Sequence, residues 1–219
     1  MTDPLAHRRP RLAPTGRPAL DALLADLAAA DIELEERIIG REEIYRGRYM
    51  VLEKDAIVRP DGLESSRDIV RHPGAVVIAP LDANGELFLV VQYRLAGNGA
   101  MLELPAGTLD VHDGIVEDPE VAARRELEEE TGYRAGRMER LAGYYSAPGF
   151  LTEYLSLFLA TDLRPATRDR LSPDEDERIR LVRLHWRDAI AAIEAGVIED
   201  SKSIAGILLL ARNLEARGF

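Results

Sequence analysis

Three glutamates, Glu126, Glu129 and Glu130, stand at i, i+3 and i+4. That spacing brings their carboxylates out on one face of an α-helix. Each like-charge pair at i, i+4 costs roughly 0.2–0.5 kcal/mol, so the face calls for a counter-charge. Arg124 and Arg125 neutralise part of it. A hard divalent cation would neutralise more. Mg²⁺ takes oxygen ligands, is held by one or two carboxylates and leaves its other positions to water and substrate phosphate. The chemistry on offer is therefore metal-assisted work on a phosphate-bearing molecule. A bare acidic run is ordinarily a solvated helix surface, so the residues around it decide between the two.

Those residues form a pattern. Glu117 lies eight positions before Arg125, and Arg125-Glu126-Leu127-Glu128-Glu129-Glu130-Thr131-Gly132-Tyr133 follows. From Glu117 onward this resembles the box of the Nudix hydrolases, G-x5-E-x7-R-E-U-x-E-E-x-G-U with U a bulky apolar residue. The departure is upstream, where the glycine position of the pattern is Val111. Gly107, within Leu104-Pro105-Ala106-Gly107, is the equivalent glycine, with four extra residues in the loop. Such an insertion moves the loop tip and leaves the helix spacing intact.

Other segments resemble one subgroup, the ADP-ribose pyrophosphatases, over roughly residues 37–213. They are Arg71-His72-Pro73-Gly74, Gln92-Tyr93-Arg94, Glu103-Leu104-Pro105-Ala106-Gly107 and Asp200-Ser201-Lys202-Ser203-Ile204-Ala205-Gly206, with Pro148 sixteen residues after Gly132. Each is weak singly. The resemblance implies hydrolysis of the pyrophosphate bond of ADP-ribose, or a related nucleoside diphosphate sugar, to AMP and ribose 5-phosphate. It implies Glu126 and Glu130 as principal ligands of Mg²⁺, or alternatively Mn²⁺. Glu129 would be a third, bridging or orienting ligand, and Ala106 would give its backbone carbonyl. Glu117 and Arg125 are expected to pair and aim the carboxylates. Arg71, Arg94, Glu103 and Pro148 are the expected substrate-holding positions; arginine suits phosphate by its bidentate fork. A general base is expected in the acidic loop Ser172–Glu177, at Glu175 or Glu177, each of which singly reads equally as solvated loop. Two other readings stay open: a Nudix hydrolase of another nucleotide such as GDP-mannose, and a catalytically silent nucleotide-binding sensor.

The elements that must position these residues follow from local signals. Asp118 is a fair N-cap, Pro119 suits the first helical position, and Gly132 suits a left-handed helix end. Val121, Ala122, Ala123 and Leu127 supply an apolar face. Met101–Leu104 reads as a short strand that delivers Pro105-Ala106-Gly107 to the mouth of the helix. Ala75–Pro80 reads as a buried strand, joined through the hairpin turn Asp82-Ala83-Asn84-Gly85 to a strand over Glu86–Arg94. Leu95–Ala100 and Tyr144–Phe150 read as loops. Strands are expected over Tyr154–Ala160 and Ile179–Trp186, and helices over Leu20–Ala30, Asp188–Glu194 and Ser201–Glu215. The expected fold class is α+β, an αβα-sandwich of Nudix type with a small N-terminal β-sheet domain. Residues 1–19 read as a mobile arm, 20–70 as a helix and strands, and 71–219 as the Nudix hydrolase domain. The resemblance implies that the N-terminal strands are exchanged in a homodimer.

Composition narrows the partners. The chain has 219 residues, 46% hydrophobic content and no cysteine, which excludes disulfide and thiolate chemistry. A net charge of −11 argues against a nucleic-acid surface, since phosphate backbones are met by lysine and arginine. No apolar run approaches the roughly 20 residues of a membrane span. No apolar stretch follows the N-terminal arginines to make a signal peptide, so a cytoplasmic location is expected.

Overall fold

The computed structural model describes residues 13–167 and 178–218. The chain divides into two compact units.

The first unit holds the described residues up to His72 together with Ala147–Thr152. It begins with helix α1 (Pro18–Glu33), with proline at its start, then strands β1 (Arg37–Arg46), β2 (Val51–Val58) and β3 (Glu64–Arg71). The strands form an antiparallel sheet in the order β1-β2-β3. A turn at Pro60-Asp61-Gly62 joins β2 to β3, with Gly62 in the left-handed region (φ 82°). Segment 147–152 lies along the end of β3: the Val70 amide donates to the Phe150 carbonyl (2.7 Å), and the Thr152 amide to that of Val70 (3.0 Å). Burial alternates along the first seven residues of β2, whereas every residue of β1 is exposed and α1 buries none.

The second unit holds Pro73–Ser146 and the described residues from Glu153 on. Its strands are β4 (Ala75–Pro80), β5 (Glu86–Arg94), β6 (Gly99–Glu103), β7 (Ala106–Thr108), the short pair β8 (Val111–His112) and β9 (Ile115–Val116), β10 (Tyr133–Tyr145), β11 (Tyr154–Pro165) and β12 (Arg180–His185). Its helices are α2 (Pro119–Thr131), α3 (Trp186–Glu194) and α4 (Ser201–Ala216). One sheet runs β10-β11-β4-β7, with β4 and β11 parallel, and another runs β12-β5-β6. Period-2 alternation along β4 sorts the core. Val76 and Ile78 pack with Ala122, Ala123 and Leu127 of α2, while Val77 and Ala79 face the other way, toward Ile207, Leu210 and Leu214 of α4. The result is helix, sheet, helix: the αβα arrangement expected.

Four local expectations are corrected. The turn at Asp82–Gly85 forms, with Gly85 at φ 83° and the Asp82 side chain accepting from Asn84 and Glu86 amides. Yet its flanking strands do not make a hairpin: they share only the bridge Leu81–Leu87, and β4 and β5 then part into different sheets. β4 and the middle of β5 are apolar on both faces, so neither face selects the sequence neighbour as partner. Tyr144 and Tyr145 are strand, not loop. They end β10, a 13-residue strand paired along its length with β11, whose interspersed arginines and half-exposed pattern hide it from periodicity. Val121 points to solvent at 57% exposure, outside the apolar face of α2. Trp186 opens α3 and does not close the preceding strand, because His185 Nδ1 accepts the Arg187 amide (3.3 Å) and caps the helix there.

Candidate active site

The site is built on α2. Asp118 Oδ1 accepts the amides of Glu120 (2.9 Å) and Val121 (3.2 Å), Pro119 occupies the first position, and Gly132 ends the helix at φ 74°. These caps set the helix in register. Ala122, Ala123 and Leu127 are fixed in the core, and beside them on the helix Glu126 and Glu130, both buried, reach the strap Ala106-Gly107.

The carboxylates gather where β7 begins. Glu130 Oε2 accepts the Ala106 amide (3.1 Å). The Glu126 carboxyl lies against Gly107 so closely that a Cβ there would stand 1.9 Å from its Cδ. Glu126 Oε1 and Glu129 Oε2 both accept from Nη1 of Arg125, at 2.7 and 3.0 Å. The other side of that guanidinium grips Glu117, Nε to Oε1 at 3.3 Å and Nη2 to Oε2 at 2.9 Å. Burial alone would lower the Arg125 pKa. The hydrogen bonds to Glu117 and the charge of Glu126 outweigh it and hold the guanidinium above its ordinary value, so it stays cationic. Glu117, Glu126 and Glu129 thus share one cation.

Glu128 does not belong to this face. It is buried and paired with both nitrogens of the Arg134 fork (2.7 and 2.8 Å), which removes one of the four acidic residues from the site. The four-residue insertion before Glu117 folds into the β8–β9 hairpin, with Asp113 and Gly114 both in the left-handed region (φ 53° and 78°), as a tight turn of this twist demands. The hairpin closes on itself, and the Glu117 amide donates to Asp110 O (2.8 Å) at its base. Helix spacing is untouched.

Among the described residues no three His, Cys, Asp or Glu side chains already stand as a coordination cluster, because Glu126 and Glu129 are drawn onto Arg125. The donor chemistry nonetheless fits a hard cation: three carboxylates, all oxygen, no sulfur or imidazole. Gly107 leaves the space against the strap in which the Glu126 carboxyl sits, a cradle that any side chain would fill.

Glu103, at the end of β6, is buried at 1% exposure and accepts from the Arg94 fork, Nε to Oε1 at 2.9 Å and Nη2 to Oε2 at 2.8 Å. Burial alone would raise its pKa. The Arg94 hydrogen bonds and the Lys202 charge outweigh that and hold it below the ordinary glutamate value.

The structure therefore gathers Ala106, Glu117, Arg125, Glu126, Glu129 and Glu130 at one place and sets Arg94 on Glu103 three residues upstream of the strap. Arg71 and Pro148 belong to the first unit. There Arg71 is buried and bonded to Glu53 (Nε to Oε2, 2.7 Å) and to Asp55, which Arg41 also contacts. Glu175 and Glu177 lie outside the described residues. The sequence marked Asp200, Lys202 and Ser203 only as part of the segment Asp200–Gly206 and gave none of them a role. The signal available was Asp200 three residues before Ser203 at a helix start, a capping pattern.

The NUDIX domain family model matches residues 70–205. The chain is 35% identical over 177 residues to the ADP-ribose pyrophosphatase of Bacillus subtilis (strain 168), covering 81% of this chain and 93% of that protein. It is 38% identical over 176 residues to the methanol dehydrogenase activator of Bacillus methanolicus, covering 80% and 92%. A crystal structure of an ADP compounds hydrolase superposes with a TM-score of 0.73 at 24% identity, covering 84% of this chain and 96% of that one, a likeness of fold. Among the described residues no helix is long and apolar enough to cross a membrane.

Proposed function

The chain belongs to the Nudix family, and from that premise we propose that it is a pyrophosphohydrolase that cleaves ADP-ribose, or a closely related nucleoside diphosphate sugar, to AMP and ribose 5-phosphate. The observation that carries the reading is the convergence of Glu126 and Glu130 on Ala106-Gly107, with Arg125 beside them holding Glu129 and clamped to Glu117. The choice of ADP-ribose draws on the B. subtilis relative. In the reaction water adds to one phosphorus and the bridging P–O–P bond breaks, leaving one phosphate on each product.

Glu126 and Glu130 are the principal residues to hold Mg²⁺, or Mn²⁺, with Glu129 and the Ala106 carbonyl completing the set. A divalent ion there would withdraw charge from the diphosphate oxygens and lower the pKa of a water. Arg125 keeps Glu126 and Glu129 aimed at the strap and holds the loop through Glu117. Glu175 or Glu177 takes the proton from the attacking water. Arg71 and Arg94 are the cations offered to the substrate, each anchored by carboxylates on its own sheet, with Glu103 orienting Arg94 and Pro148 shaping the substrate's surroundings.

A homodimer belongs to the same proposal. β1 is an edge strand that leaves Ile38, Ile39, Ile44 and Tyr45 exposed at 45–56%, and an apolar edge of that length is ordinarily covered. So does a cytoplasmic location, since a chain without cysteine has no need of an oxidising compartment. The test is chromatographic detection of AMP and ribose 5-phosphate from ADP-ribose with Mg²⁺. Faster release of GMP from GDP-mannose would reassign the sugar nucleotide. No turnover of any nucleoside diphosphate sugar, with metal still bound, would make the protein a sensor. Light scattering should give twice the 24.3 kDa chain mass, and a monomer would remove the dimer.

A further inference from the structure

Between β6 and β7 the backbone leaves one sheet for the other, so Leu104 and Pro105 have no ladder partners on either side. Leu104 is completely buried, and a buried amide without a partner is costly. Pro105 has no amide to satisfy, and its carbonyl takes the Ile78 amide at 2.8 Å. The Leu104 amide is met by a residue 99 positions away: it donates to Ser203 Oγ at 2.7 Å.

Ser203 is itself fully buried, and its hydroxyl proton goes to Asp200 Oδ2 at 2.6 Å. The same Asp200 oxygen caps α4 through the Ser203 amide (2.9 Å) and faces Lys202 Nζ at 3.0 Å. Lys202 Nζ also reaches Glu103 Oε2 at 2.5 Å. Two consecutive residues of the crossing, the Glu103 side chain and the Leu104 backbone, are thus tied to one helical turn. One turn further on, Gly206 lets α4 close onto Leu104; a Cβ there would stand 2.6 Å from Leu104 Cδ1. Two residues beyond Leu104 the Ala106 amide holds Glu130.

We infer that the first turn of α4 is the positioning element for the metal-facing strap, with Ser203 as its hub and Lys202 as its second tie. Ser203 touches neither substrate nor ion. It fixes where Leu104 leaves the sheet; the proline at 105 makes the connection stiff, and Ala106 and Glu130 are placed by it. The inference rests on reading the acidic cluster as a divalent-cation site, and it makes cation affinity depend on a hydroxyl from the far end of the chain.

The experiment is Mn²⁺ binding to the full chain, followed by electron paramagnetic resonance, with thermal unfolding measured alongside. Ser203→Ala should weaken Mn²⁺ binding about tenfold, the effect of losing an outer support of a metal ligand. Leu214→Ala, at the opposite end of α4 and buried in the core, should lower thermal stability and leave Mn²⁺ affinity at the parent's level. Parent-like Mn²⁺ binding by Ser203→Ala overturns the inference, and so does equal weakening in Leu214→Ala, which would make the effect general loosening. Should Ser203→Ala not fold, Lys202→Met serves. It leaves the Ser203–Leu104 bond in place and should weaken Mn²⁺ about threefold, and an unchanged affinity sinks the idea. A parent that binds no Mn²⁺ overturns both this inference and the metal-site reading, whereas a binding parent with an unaltered Ser203→Ala overturns this inference alone.

Discussion

Gly107→Ala separates catalysis from folding at a single atom. Gly107 is outside the set of residues with positive φ, so alanine meets no backbone strain there. Its new Cβ would stand 1.9 Å from Cδ and Oε1 of Glu126 and 2.4 Å from Oε2. Ordinary contact begins at 3.4 Å, so the carboxyl must retreat by about 1.5 Å. It can do so, being the far end of a flexible side chain, and the backbone need not move. The stability lost is the Arg125–Glu126 pair, while Arg125 keeps Glu117 and Glu129. For a partly exposed pair that is about 1 kcal/mol or less, a few degrees in melting temperature. Activity should suffer far more, because a displacement of about 1 Å at a reacting centre costs on the order of a hundredfold in rate. AMP release from ADP-ribose at saturating Mg²⁺ and differential scanning calorimetry on the same preparation give both numbers. Turnover within about threefold of the parent would refute the assignment of Glu126 to the metal, and so would a variant that fails to fold, since the structure makes the fold indifferent to this change.

Glu130→Gln keeps the hydrogen bond from Ala106 but removes a negative ligand; kcat should fall about a hundredfold or more with an unchanged circular dichroism spectrum. Arg94→Ala leaves Glu103 buried with only Lys202 to face it and should cost about 2 kcal/mol in urea unfolding at neutral pH. The same change has a pH signature. The folded pKa of Glu103 lies below the ordinary 4.5, so its contribution is full above pH 4.5 and is lost as the pH falls through the folded value. Without the Arg94 hydrogen bonds that value rises, so acid unfolding followed by fluorescence should begin at a higher pH than in the parent. Gly206→Ala drives a Cβ to 2.6 Å from Leu104 Cδ1 and 3.2 Å from Leu157 Cδ1, both in the core, and should destabilise by about 1–3 kcal/mol, read as a lower melting temperature.

Much of the site could be seen in the chain because its signals are local. The i, i+3, i+4 spacing of Glu126, Glu129 and Glu130, the Asp118-Pro119 start and the Gly132 stop act over one or two turns of a single helix, and the structure forms that helix with those caps. The pairing of Glu117 with Arg125 follows from the same box. Glu128 was less transparent. It sits in the same acidic run, and only the position of Arg134, six residues on and past the helix end, shows that it is a structural ion pair.

Other features depend on distant partners. The Asp82–Gly85 turn forms as its residues require, but whether β4 and β5 pair beyond it is a competition against β11, β7, β12 and β6, none of which the turn senses. β10 owes its strand conformation to 11 paired positions along β11 more than to its own charged sequence. The family and the acidic helix were determined by the sequence itself, because capping, helical spacing and a nine-position motif involve residues within reach of one another along the backbone. Tertiary structure alone decided that the Leu104 amide would rest on Ser203 and Glu103 on Lys202, each 99 residues away. A buried polar group must find a partner wherever packing brings one, and packing is settled by the matching of faces that no local signal encodes.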